Sequence, residues 1–252
     1  MNDGHVKYSI EDGVATIEFF HPAQNALPGY LLRDLCEAID DADRSDEVTL
    51  VLIKSAGERT FCAGASFNEL ITIDTLETGK QFFMGFANVI NAIRTCKKIV
   101  ICRVQGKAVG GGVGIAAACD YTMSSKYASV RLSELAVGIG PFVIGPVVER
   151  KVGFSAFSQM ALNADEWQTA EWAKQKGLYT ECFDTTEQLD AYITHFIKAL
   201  RSKSVPALLQ LKKVFWEGTD HWNSLLESRA EMSGKLILSP EAKQAIQSFL
   251  KA

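Results

Sequence analysis

The chain has 252 residues, of which 47% are hydrophobic and 22% charged. That composition excludes a disordered chain and is enough to bury a sizeable core in one large domain, or in one domain with a small appendage. Asp and Glu number 30 against 26 Lys and Arg, a net charge of −4, so no basic nucleic-acid surface is expected. Cys36, Cys62, Cys96, Cys102, Cys119 and Cys182 form no CxxC pair, which argues against a zinc finger and against a disulfide scaffold. The apolar stretch 99–118 is interrupted by Arg103, Gln105, Lys107 and glycines, and the polar start at Met1 lacks an apolar leader core. A cytoplasmic protein without membrane or metal association is the expectation.

In chain order, 6–10 and 14–19 alternate around a Glu11-Asp12-Gly13 turn and predict a hairpin. Pro28 opens a helix marked by Leu31, Leu32, Leu35 and Ile39. Apolar runs at 48–53 and 99–104 read as buried strands. Between them, 61–65 reads as a loop of small residues and 79–94 as a helix whose apolar face includes Phe82, Phe83 and Phe86. The glycine-dense centre leads into a short helix at 115–119, then strands at 120–124 and 128–132. This recurrence of strand, strand, helix predicts stacked ββα units. After Pro141 the chain reads as helices at 143–152, 155–162, 166–176, 187–200, 206–215 and 222–236, with a last one from Pro240, and a short strand at 178–183. A boundary, if any, falls near Lys203–Pro206.

Three features could carry chemistry. The run Gly110-Gly111-Gly112 precedes a helix, where free backbone N–H groups favour negative charge and missing side chains allow a ligand to approach closely. The segment 61–65 could supply a second N–H donor to the same developing oxyanion. Glu134 lies among apolar and small residues, and burial there would raise its pKa and suit it to proton transfer. Gly112–Ala117 also fits GxGxxA, with Glu134 about 20 residues on, as a dinucleotide fingerprint requires. Residues 105–111 intervene after the strand, which counts against that reading. His21 and His195 have no nucleophile in a triad arrangement, and the acidic cluster at 40–46 lacks EF-hand spacing.

Four segments in order resemble the crotonase superfamily, the enoyl-CoA hydratases and isomerases: His21–Leu27, Phe61–Ala65, Val104–Gly112 and Ala118-Cys119-Asp120. The resemblance implies an α/β spiral of ββα units over 1–203 with the acyl-CoA site, and a helical C-terminal region over 204–252 that builds homotrimers or hexamers. It implies an oxyanion hole from the N–H groups of Ala65 and Gly111, with Ala63, Gly64, Gly110, Gly112, Gly114 and Phe142 around the substrate. No cofactor is implied beyond the CoA of the acyl-CoA thioester. The family's hydratases use two glutamates; the position of the first is Gly114 here, and the second corresponds to Glu134. Gly138–Phe142 is similar to the isomerases' "IAPF". The resemblance thus implies a Δ3,Δ2-enoyl-CoA isomerase with Glu134 as its one catalytic carboxylate. A divergent hydratase or related lyase is the nearest alternative, and a non-catalytic acyl-CoA-binding protein is another.

Overall fold

The computed structural model describes residues 4–251, with side chains through Ser248. Residues 1–3 of the polar start and residue 252 of the helical tail lie outside the described residues. Strands β1 (His5–Glu11) and β2 (Val14–Phe20) form the expected hairpin, antiparallel from His5↔Phe20 to Glu11↔Val14. Helix α1 (Gly29–Arg44) follows and buries Leu31, Leu32, Leu35 and Ile39. Pro28 stands just before it as the N-cap rather than inside its first turn.

The chain then lays down three strand–strand–helix units. The first is β3 (Leu50–Ser55), β4 (Thr60–Cys62), the single turn α2 (Phe67–Leu70) and α3 (Leu76–Thr95). The second is β5 (Ile99–Val104), β6 (Lys107–Val109) and α4 (Gly111–Ala118). The third is β7 (Tyr121–Ser125), β8 (Val130–Arg131), a 3-10 turn at Leu135–Val137, α5 (Gly145–Leu162) and α6 (Ala170–Gln175). Strand β9 (Glu181–Phe183) follows. In each unit the first strand joins a six-stranded sheet of order β1-β2-β3-β5-β7-β9, and the second joins a three-stranded sheet of order β4-β6-β8. Among the described residues the other strand-to-strand pairings are parallel, and one isolated antiparallel bridge joins Val130 to Gln168. The core strands are accordingly near-continuous apolar runs, such as Ile99–Cys102, all buried.

Several boundaries differ from the sequence pattern. Helix α4 starts at Gly111, not at residue 115, because the glycine run itself enters the first turn. The short strand β6 lies in a stretch too brief and glycine-flanked to show a period of two. Helices expected at 143–152 and 155–162 join as α5, broken only in backbone angle at Gly153. The expected strand 178–183 contracts to β9, since the N–H of Leu178 turns back to the Ala173 carbonyl at the end of α6.

The final stretch is helical: α7 (Thr186–Arg201), α8 (Val205–Phe215), α9 (Trp222–Leu236) and α10 (Pro240–Lys251). Beyond residue 203 it packs on the chain's own core. Helix α9 crosses α3 where Gly79 meets Gly234; a Cβ on Gly79 would stand 2.9 Å from the Gly234 Cα. Helix α8 is held by a buried ion pair. The Lys212 Nζ donates to Asp120 Oδ2 at 2.7 Å and to the Ile93 carbonyl at 2.8 Å, and both charged side chains are 2% exposed. Asp120 also accepts from the Val100 N–H and from the Trp216 Nε1, so its buried oxygens are fully engaged. Among the described residues no helix is long and apolar enough to cross a membrane.

Removing one member of such a pair strands the other charge. Lys212→Met is expected to cost about 3–5 kcal/mol. Urea denaturation followed by circular dichroism measures it, and Asp120→Asn in the same chain should restore part of the loss.

Candidate active site

The ends of β4 and β6 and the start of α4 converge on one cavity. It holds about 570 Å³ of empty space, including its mouth. Ala63, Gly64, Ala65, Gly110, Gly111, Glu134 and Phe142 line it, so seven of the residues singled out from sequence lie together. Gly112 and Gly114 do not line it. A Cβ on Gly112 would press on Cys62, and one on Gly114 would overlap the side chain of Ile144. Both serve helix packing, and it is Ile144 that reaches the cavity wall beside α4.

The two loops that meet here can do so because of glycine. Gly64 adopts φ +85°, and a Cβ there would stand 2.9 Å from the Val109 carbonyl and 3.6 Å from the Gly111 nitrogen. Gly110 adopts φ +51°, ψ −117°, and a Cβ on it would stand 2.9 Å from Glu134 Oε1. The segment after Gly64 is fixed by a parallel bridge between Leu27 and Ala65. Its bonds run from the Leu27 N–H to the Gly64 carbonyl and from the Ser66 N–H to the Leu27 carbonyl. In a parallel bridge the cross-strand groups belong to the neighbours of the bridging residue, which leaves the Ala65 N–H unclaimed by Leu27. The Gly111 N–H, at the first position of α4, has no carbonyl within its helix to bond. Two backbone donors on the cavity wall are thus available to an oxygen that gains negative charge.

Glu134 caps the 3-10 turn after β8, and its backbone carbonyl accepts from the Val137 and Ile139 N–H groups. That local turn fixes the side chain over Gly110. The residue is half-buried, but its Oε2 is fully buried and has no hydrogen-bond partner. Burial without a partner penalises the charged form and raises the pKa from 4.5 to about 7, against a small lowering by its own backbone N–H. Glu134 is the one titratable side chain on the cavity wall among the described residues. The arrangement can take up and return a proton near neutral pH beside two backbone N–H groups on the same wall.

The remaining wall is largely apolar. Phe83 and Phe86 face the cavity from α3, and Phe86 packs directly on the Gly111 backbone. Their i, i+3 spacing was the available signal, but it does not tell a core face from a cavity wall. Phe67 and Leu70 contribute from α2, and Ser233 contributes from α9. The last has no signal in sequence, because it arrives from a distant helix. The described residues contain no group of three or more His, Cys, Asp or Glu placed to hold a metal ion.

Residues 9–252 match the family model described as enoyl-CoA hydratase/isomerase. The chain is 27% identical over 243 residues to the short-chain-enoyl-CoA hydratase of Clostridium acetobutylicum, covering 96% of this chain and 92% of that protein. It is 26% identical over 240 residues to a peroxisomal Delta(3,5)-Delta(2,4)-dienoyl-CoA isomerase of Arabidopsis thaliana, covering 89% and 84%. A crystal structure of an enoyl-CoA hydratase from Bacillus halodurans superposes with a TM-score of 0.88 at 21% identity, over 96% of this chain and 99% of that one. The αβ spiral, the paired glycine loops and the full-length family match lead to one conclusion: this chain belongs to the enoyl-CoA hydratase/isomerase family of the crotonase superfamily.

Proposed function

We propose that this protein binds an acyl-CoA thioester, stabilises its enolate, and shifts a carbon–carbon double bond from position 3 to position 2 with Glu134 as the only proton carrier. The observation that carries this reading is that Glu134 is the single titratable side chain among the described residues of a largely apolar wall. The Glu134 carboxylate removes a proton from C2 of a 3-enoyl thioester, and the electron pair of that C–H bond delocalises onto the thioester oxygen. The N–H groups of Ala65 and Gly111 hold the resulting negative charge. The electrons then return through the conjugated system, C4 takes the proton back from Glu134, and the double bond rests between C2 and C3. The CoA of the substrate is the only cofactor this chemistry needs.

Hydration asks for more. Water must be held and activated while a proton reaches the α-carbon, work that suits two carboxylates. At position 114 there is no side chain, and Ile144 fills the adjoining space. This supports isomerisation over the hydratase alternative, although relatives bear both names. Mass spectrometry after incubation with 2-enoyl- and 3-enoyl-CoA separates the readings, since hydration adds mass and isomerisation does not. Glu134→Gln should lower isomerisation by about 10²–10⁴ with acyl-CoA binding retained. Efficient hydration by the unaltered protein would overturn the isomerase reading. Binding without turnover of either substrate would point to a non-catalytic acyl-CoA-binding protein.

The raised pKa of Glu134 sets two pH dependences. As a base it must be ionised, so kcat/KM should climb through about pH 7 and level off above it. The folded chain holds this proton to about pH 7, while an ordinary carboxyl loses it near 4.5. Its contribution to stability is therefore complete below 4.5 and is lost as pH rises through 7. Urea midpoints at pH 5 and pH 8 should fall more for the unaltered protein than for Glu134→Gln.

We further propose that the chain assembles as a homotrimer or a hexamer. Helix α8 exposes Leu211, Val214 and Phe215, and α5 exposes Phe154 and Leu162 at 72% and 73%. An apolar surface of that kind is usual where copies pack together. Sedimentation equilibrium at micromolar protein should report an oligomer; monomer alone would reject the assembly.

A further inference from the structure

A second cavity lies directly behind the first. It holds about 560 Å³ of empty space, including its open mouth, and runs along α5 between Gly145, Phe157 and Ala161, with Pro146 at its side. The exposed Glu149 and the half-buried Arg229 carry its charge. Two residues line both cavities: Pro141 and Phe142. The wall between them is therefore a proline, which has little freedom to move, and one phenylalanine ring.

That ring is held by its own segment. The Phe142 N–H donates to the Gly140 carbonyl at 2.7 Å, a three-residue turn across Pro141. A Cβ on Gly140 would stand 2.5 Å from the ring's Cζ, so the ring lies folded back against the Gly140 backbone. On the far side, Phe157 packs on Gly145, where a Cβ would stand 3.1 Å from its Cζ. The small Ala161 leaves the chamber beyond open.

We propose that Phe142 is a specificity-determining partition that limits the acyl chain to a short one, and that the chamber along α5 is a latent subsite for the distal methylenes of a longer chain. This rests on the acyl-CoA reading given above and extends it to the size of the acyl group. A short chain lies wholly in the cavity that holds Glu134. A longer chain meets the Phe142 ring, and its further methylenes gain no burial. Truncating that ring opens the first space beside Pro141 onto the chamber lined by Gly145, Phe157 and Ala161.

Binding of saturated acyl-CoAs tests this without reference to the reaction catalysed. Dissociation constants for hexanoyl-CoA and decanoyl-CoA are measured by calorimetry on the unaltered protein, on Phe142→Ala and on Phe142→Ala/Ala161→Phe, with folding checked by circular dichroism. In the unaltered protein the longer chain should bind no more tightly than the shorter. In Phe142→Ala it should bind at least about tenfold more tightly, because its distal methylenes leave water. The double variant, with a phenyl group returned to the chamber, should lose that gain. Equal tightening with chain length in the unaltered protein, or a folded Phe142→Ala with no gain, would overturn the partition. Failure to bind any acyl-CoA would overturn it together with the acyl-CoA reading, whereas binding that follows this pattern without isomerisation would reject the isomerase assignment alone and leave the partition standing.

Discussion

Everything at the site depends on how closely two backbone segments can approach. The segment after β4 and the segment after β6 pass within reach of each other only where no Cβ stands between them, at Gly64 and at the start of α4. Given that approach, Ala65 and Gly111 share one cavity wall, the first held by the bridge to Leu27 and the second by the helix it opens. Gly64 and Gly110, two of the glycines with positive φ, serve this site: the first faces the Val109 carbonyl and the second faces Glu134. The alternation of strands between the two sheets is what brings the segments there, since β4 and β6 are hydrogen-bonded neighbours although β5 lies between them in the chain.

Glu134 shows the cost side of the same design. A buried carboxyl oxygen without a partner forfeits its hydration and receives nothing in return. The fold tolerates this because the proton can stay on at neutral pH, where a neutral acid is far cheaper to bury than a carboxylate. The ion pair of Asp120 and Lys212 elsewhere in the core makes the opposite choice. Its two side chains are 2% exposed, yet every charged oxygen there has donors. One carboxyl is locked by its partners and the other is left responsive.

The sequence reveals the glycine loops and Glu134 because their chemistry is local. A glycine run before a helix and a glutamate among apolar residues can each be read within a few positions. The ββα order is legible for the same reason, since apolar runs and helical spacing repeat along the chain. Residues 107–109 are harder, because a strand of three residues carries no visible period, whereas the strand expected at 128–132 contracts to Val130–Arg131. Gly112 and Gly114 share the composition of the site but not its position, as only the packing against Cys62 and Ile144 reveals. Ser233 and the shared role of Phe142 depend on contacts between distant elements, which spacing alone cannot express.

The crossing of α3 and α9 has a consequence for the order in which the molecule is completed. Ser233 sits on the cavity wall one residue before Gly234, the point where the two helix backbones touch. During synthesis the strands, the glycine loops and Glu134 all emerge well before that helix does. Until α9 docks on Gly79, the apolar lining contributed by α3 has one side open to water. A growing chain thus possesses the glycine loops and Glu134 before it possesses the Ser233 side of the cavity, and until the last fifth of the polypeptide docks it presents an apolar cleft of the kind that invites aggregation.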